Sequence, residues 1–291
     1  MSHLSRREFA ALAASAAAAP FVLSQKSSAA AITAQDVIDR IKKHIGVEWR
    51  AESVDGIKAG EPSTVVKGVV STSMATLNVL HQAVKAGANV VITAQPTFYA
   101  RADAQNRPGD PVFAAKNEFI ARHNIFIFRL SEHWRLHQPD PFSNGMAAAV
   151  GWTKYQSATD PGRVDLPATR LESLTAGIKK RLQLRGGIRV VGDPRINVRR
   201  VGLLPGTTPI QASVKLLPNV DAILAGEVRE WESVEYARDK VFAGEKKALI
   251  LVGRVVSEEP GMNVCASWLK TIVPEVPVRH VSAGDPYWRP A

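Results

Sequence analysis

Apolar residues recur along this chain in two rhythms: short β-branched blocks, and stretches spaced three and four apart. Thr33 precedes Val37, Ile38, Ile41 and Ile45 at helical spacing, with Gly46 behind them, which predicts a capped helix with a defined stop. Residues 65–72 read as a strand, 75–86 as a helix ending at Gly87, and 89–93 as a short buried strand. Asp110-Pro111 opens a helix that runs to His123, 125–128 form a further strand, and 129–140 read as polar loop. The plan then repeats. A strand at 200–204, a helix through Leu216 and a strand at 220–224 lead to a helix over 227–242. Residues 247–252 predict a strand, 257–272 a helix and 276–281 a last strand. The two halves even share a local text, Gly87-Ala88-Asn89-Val90-Val91-Ile92 beside Pro218-Asn219-Val220-Asp221-Ala222-Ile223. Strands separated by helices imply βαβ units and mixed, largely parallel sheets, so the fold class is α/β with internal duplication. The halves fall at about 31–152 and 185–285, with the join inside 153–184 and a tail at 286–291.

The first thirty residues depart from this rhythm. Ser5-Arg6-Arg7-Glu8-Phe9 precedes an Ala-rich apolar stretch, and Ser28-Ala29-Ala30-Ala31 offers small residues for cleavage. That layout predicts a twin-arginine signal peptide over 1–30 and a mature protein that is periplasmic or secreted. The stretch falls short of the roughly 20 apolar residues a spanning helix needs, and no other run reaches that length. Removing 1–30 takes away three basic residues and one acidic one, lowering the formal charge from +10 to +8. Excess positive charge concentrates between Lys179 and Arg200, where eight cations face only Asp193. Aromatic residues do not interleave with them as a nucleic-acid platform would require, so a solvated face is expected there and nucleic acid is not an expected partner. A membrane is not an expected partner after cleavage either.

A single cysteine excludes disulfide frameworks, Cys-rich zinc modules and iron–sulfur clusters. No Gly-x-Ser-x-Gly elbow, phosphate-binding loop or dinucleotide fingerprint is present. Candidate chemistry lies at the carboxyl ends of the predicted strands, where parallel α/β folds bind ligands. Four ends are polar: Thr93-Ala94-Gln95-Pro96, Arg129-Leu130-Ser131-Glu132-His133, Ala225-Gly226-Glu227, and Gly253-Arg254-Val255-Val256-Ser257-Glu258-Glu259. Glu227, Glu258 and Glu259 read either as crevice carboxylates or as residues favoured at helix N-termini by the helix dipole. His133 and His137 are four apart, the spacing that lets two imidazoles meet one metal on a helical turn. Cys265, flanked by Val264 and Ala266, reads as a small buried residue.

These strand ends resemble the Nif-three-like family, described as hexameric dinuclear metal-centre proteins and GTP cyclohydrolase one type two-like. The resemblance spans about 34–285 and rests on Thr93-Ala94-Gln95-Pro96-Thr97-Phe98-Tyr99, His133-Trp134-Arg135-Leu136-His137, Gly226-Glu227 and Gly253-Arg254-Val255-Val256-Ser257-Glu258. It implies a homo-oligomer, up to a hexamer, and metal ligands at positions 94, 95, 137, 254 and 258. This chain departs from the pattern at most of them. Ala94 has no donor, Gln95 offers a weak neutral oxygen, and Arg254 is a permanent cation without an acceptor. His137 stands where the family has Asp, and Glu258 alone is retained. The expectation is therefore no cofactor or one divalent ion held by His137 and Glu258, rather than two metals.

Arg254 and Glu258 are four apart, so the guanidinium is expected either in the volume of a lost metal, paired with Glu258, or in solvent. Two functions follow. One is a hydrolase of small anionic substrates using Glu227, Glu258, His133 and Arg254. The other is a non-catalytic oligomeric periplasmic binding or scaffold protein.

Overall fold

The computed structural model describes residues 31–101, 103 and 109–288. The twin-arginine segment lies outside the described residues. So do residues 289–291 of the tail. The described residues from Ile32 onward cluster as one compact unit.

Helix α1 (Ala34–His44) starts at a capping box: the Asp36 backbone N–H donates to the Thr33 hydroxyl, and the Thr33 N–H donates to the Asp36 carboxylate. It buries Val37, Ile38 and Ile41. The first sheet combines β1 (Gly56–Ala59), β2 (Val69–Thr72), β3 (Val90–Thr93) and β4 (Phe126–Arg129) in the order β1-β4-β3-β2, with β1 antiparallel. Its outer face is covered by α2 (Leu77–Lys85), capped by Thr76, and by α3 (Pro111–Arg122), capped by Asp110 with Pro111 at the first helical position. Strands β2, β3 and β4 are buried along their whole length, as parallel strands covered on both faces must be. Thr72 pairs with Thr93, and Thr93 with Arg129, so the carboxyl ends of these three strands finish level.

Helices α4 (Glu132–Leu136) and α5 (Pro141–Ala149) lead away from that sheet. The second sheet then assembles from β5 (Arg163–Arg170), β6 (Arg189–Val191), β7 (Asn197–Thr207), β8 (Ala222–Glu227) and β9 (Ala248–Leu251) in the order β5-β7-β8-β9-β6. Its three central strands are parallel and its two edges antiparallel. Helix α6 (Leu171–Arg181) follows β5. The opposite face carries α7 (Ile210–Leu216), a π-helical turn (Glu230–Val234) and α8 (Glu235–Phe242).

The long helix α9 (Arg254–Ile272) packs against β2 of the first sheet and β7 and β8 of the second. Its Met262, Cys265, Ala266 and Leu269 join the core formed with α1. Helix α5 crosses it at two glycines. A Cβ on Gly145 would lie 2.5 Å from the Pro260 carbonyl carbon, and one on Gly261 would lie 2.5 Å from Phe142. The last strand, β10 (Val278–His280), returns to the first sheet and pairs in parallel with β2.

The mixed α/β fold with two largely parallel sheets is the class the sequence predicts. Four differences are local. The expected loop over 129–140 contains α4, because Asp55 caps that short helix from a distance, accepting from the Ser131, Glu132 and His133 N–H groups. The strand expected over 65–72 is confined to Val69–Thr72. The helix expected from Glu227 begins later, since β8 extends through Glu227, paired with Thr207 beyond a bulge. Helix α9 starts at Arg254 rather than Ser257, with Gly253 at φ +96 turning the chain into it.

Candidate functional site

The carboxyl ends of the two sheets converge on the first turns of α9. The approach is close because the strand ends carry glycine. A Cβ on Gly226 would sit 2.2 Å from the Ser257 hydroxyl and 2.4 Å from the Gly206 carbonyl oxygen. Ser257 holds the junction together: its Oγ accepts from the Gly206 N–H at 3.0 Å and donates to the Arg254 carbonyl at 2.8 Å. Gly206 itself adopts φ +83 at the β7 bulge, and a Cβ there would meet Glu258 Oε1 at 2.8 Å. Gly226 and Ser257 are thus explained by packing.

Glu258 lies at the centre, 2% exposed. Gln95 donates from Nε2 to Glu258 Oε1 at 2.7 Å. Arg254, one helical turn earlier, places Nη1 3.5 Å from Glu258 Oε2 and Nε 3.8 Å from a Glu227 carboxylate oxygen. Its other nitrogen contacts the Met74 sulfur. These are ion-pair distances without hydrogen-bond geometry, so Arg254 Nη1 and Glu258 Oε2 are both buried with no hydrogen-bond partner. Burial pushes the Glu258 carboxyl above its ordinary range, against the opposing pull of the Gln95 hydrogen bond and the charges of Arg254, Arg135 and Arg129. Glu227 is half-exposed at the rim.

Arg135 and Arg129 are further residues of the site: the strand-end reading included Arg129 without giving it a role, and left out Arg135. Arg135 donates to the Pro205 carbonyl at 3.2 Å and lies over the Phe142 ring at 4.5 Å. Arg129, buried, donates from Nε to the Ala94 carbonyl and from Nη1 to the Arg101 carbonyl. The signal for Arg129 was a cation ending an apolar strand. Arg135 had none, since the folding of 132–136 into α4 is what aims it.

The histidines do not join this group. His133 is fully buried and stacked on Trp49 at 3.8 Å, with Nδ1 2.8 Å from Asp55 and Nε2 accepting the Arg50 N–H at 2.9 Å. A backbone donor on Nε2 fixes the proton on Nδ1, so neither nitrogen has a free lone pair for a metal or a substrate proton. His137 donates from Nδ1 to the Ile45 carbonyl at 2.7 Å and stacks on Trp134. The pair therefore engages different partners instead of meeting on one ion. Glu259, adjacent to Glu258, turns to another face, where it accepts from Ser282 and Ala283. Cys265 is buried in the core, and burial pushes its thiol up to about 12.

The donor set does not fit a dinuclear metal centre. Ala94 supplies no side-chain donor, Gln95 presents its amide N–H to Glu258, and the Arg254 guanidinium stands beside the carboxylates that would face a metal. Among the described residues, no three His, Cys, Asp or Glu side chains gather as a ligand group.

The fold has clear relatives among solved structures. The protein ybgI, of unknown function, is 18% identical, with a TM-score of 0.70 over 88% of this chain and 100% of its own. A Bacillus cereus protein related to NIF3 is 13% identical, with a TM-score of 0.69 over 89% and 99%. A hypothetical protein of Staphylococcus aureus is 16% identical, with a TM-score of 0.67 over 88% and 99%. At these identities the likeness is one of fold. No curated protein matches the chain. A family model, Duf34/NIF3 (NGG1p interacting factor 3), matches residues 32–284, and the chain belongs to that family.

Proposed function

We propose that this protein is an exported member of the family whose crevice works without the dinuclear centre, as a non-catalytic binding protein for a small anionic molecule. The observation that carries the reading is the position of Arg254, a fixed cation within 3.8 Å of Glu227 and 3.5 Å of Glu258. A guanidinium there offsets the carboxylate charge that a metal would otherwise neutralise. Arg135 and Arg129 add positive potential, and the guanidinium of Arg254, whose side chain keeps 20% of its surface exposed, is the charge that attracts an incoming oxyanion. Assembly as a homo-oligomer, up to a hexamer, belongs to the same proposal.

The test is elemental analysis of the mature protein, exported natively and purified without chelators or a His tag. A folded oligomer with well under one metal ion per chain is expected. A stoichiometric ion that disappears on replacing His137 or Glu258 would overturn the reading and mean that the centre has been rebuilt around one metal.

The unpartnered, buried Glu258 Oε2 favours a second reading, a metal-independent hydrolase in which that carboxyl handles the proton of an attacking water. A screen of phosphoester, amide and cyclic substrates decides it. Turnover that vanishes in a folded Glu258→Gln variant supports the hydrolase, and turnover that survives in that variant removes Glu258 from the chemistry.

A further inference from the structure

A cleft of about 500 Å³ opens on a different flank of α9 from the Glu258 crevice, between the end of α6 and the segment that follows β10. That volume lies in the range of small-molecule sites. One wall is apolar, made by Val255, Val256 and Pro260 in the first turns of α9. Facing it, α6 ends in Arg181, and no carboxylate pairs with that guanidinium among the described residues. Arg181 is held in place by lying across Gly151, where a Cβ would approach Nη1 to 2.4 Å.

Gln183 adds a second observation. Helix α6 ends in a Schellman motif, with the Leu184 N–H bonded to the Lys179 carbonyl and the Gln183 N–H to the Lys180 carbonyl. The left-handed residue of that motif is ordinarily Gly or Asn, yet Gln183 stands there at φ +50 and lines the cleft. Asn263 supplies another amide to the same space.

The remaining charges are already engaged. Glu259 accepts from the Ser282 hydroxyl and the Ala283 N–H, with His280 Nε2 3.9 Å away. His280 Nδ1 lies 3.0 Å from the Ser71 carbonyl. These contacts fix the far wall and leave Arg181 as the cation available to a ligand. Asp285, itself engaged, also lines the cleft, so two carboxylates stand against one guanidinium, which disfavours multiply charged phosphates and admits a single carboxylate.

We propose that this cleft binds a small monocarboxylate carrying an amide and an apolar side chain, the chemistry of an N-acyl amino acid or of a peptide's carboxyl end. The carboxylate pairs with Arg181, the amide meets Gln183 and Asn263, and the side chain lies on Val255, Val256 and Pro260.

Calorimetric titration of the mature protein with N-acetyl-leucine and with N-acetyl-leucinamide tests this. The acid is expected to saturate below about 10 mM and the amide to bind at least about tenfold more weakly. Arg181→Gln should lower affinity for the acid about tenfold, to the level of the amide, while Lys180→Gln, beside the cleft, leaves it unchanged. Gln183→Gly should raise the unfolding midpoint and weaken both ligands, separating loss of binding from loss of fold. Ac-Ala-Ala-Leu distinguishes the two sources: tighter binding than N-acetyl-leucine indicates a peptide end, and weaker binding a free acyl amino acid. Absence of saturation by the acid, equal affinities for acid and amide, or an Arg181→Gln variant that binds like the parent overturns the proposal.

Discussion

Arg254 and Lys116 both carry positive charge into the interior, and their surroundings relieve it to different degrees. Arg254 keeps 20% of its side chain exposed and has two carboxylates beside it. Lys116 is fully buried on α3, where its ammonium donates to the Thr97 carbonyl and lies over the Phe98 and Tyr99 rings at 5.6 and 4.9 Å. Burial pulls its pKa down to about 8, with Asp103 opposing the shift. In the unfolded chain the ordinary value is 10.5, so between these limits the unfolded state binds more protons and stability rises with pH. Below pH 8 both states hold the proton and the folded state bears the whole cost, about 3 kcal/mol. Denaturant unfolding across pH 7 to 10 should therefore show rising stability that a Lys116→Met variant loses. A flat profile in the parent would remove Lys116 from this account. The Arg254–Glu258 spacing of four was legible in the sequence, because it needs only a helix. The engagement of His133 was not, since its partners Asp55 and Arg50 lie about eighty residues away in sequence.

The same divide between local and distant causes holds for elements. Helices α1 and α3 announce themselves through Thr33, and through Asp110 with Pro111, and strands β3 and β9 through unbroken apolar runs. Helix α5 carries the same Asp-Pro start at Asp140-Pro141, yet its PFSNGMAAA text is short and opens with weak helix formers, and its stability comes from crossing α9. Gly145 makes that crossing. Replacing it with Ala drives a methyl to within 2.7 Å of three Pro260 and Gly261 backbone atoms, none of which can swing aside. The expected loss is about 3 kcal/mol by chemical denaturation. A loss below about 1 kcal/mol would show that the two helices can separate slightly without strain. Edge strands β1, β5 and β6 were hidden for a different reason: they are short or interrupted, half-exposed, and defined by their partners rather than by their own pattern.

At the scale of the whole molecule, the two sheets are alike in plan, each with three parallel strands at its centre and an antiparallel edge, and α9 serves both. Helix α9 delivers Glu258 to the crevice and Glu259 to the wall of the neighbouring cleft, so two consecutive residues face two separate sites. The duplicated text around Asn89 and Asn219 made this plan readable, whereas the return of β10 to the first sheet was not, because nothing local to Val278–His280 specifies a partner some two hundred residues earlier. That return makes the first sheet wait for nearly the last of the chain. During synthesis, Val69, Val70 and Ser71 present an unpaired strand edge until residue 280 has emerged, and a chain cut short before Pro277 would carry that edge permanently. The fold thus contains its own check on completeness: an unfinished polypeptide displays a sticky strand for chaperones and proteases to find, and a finished one conceals it.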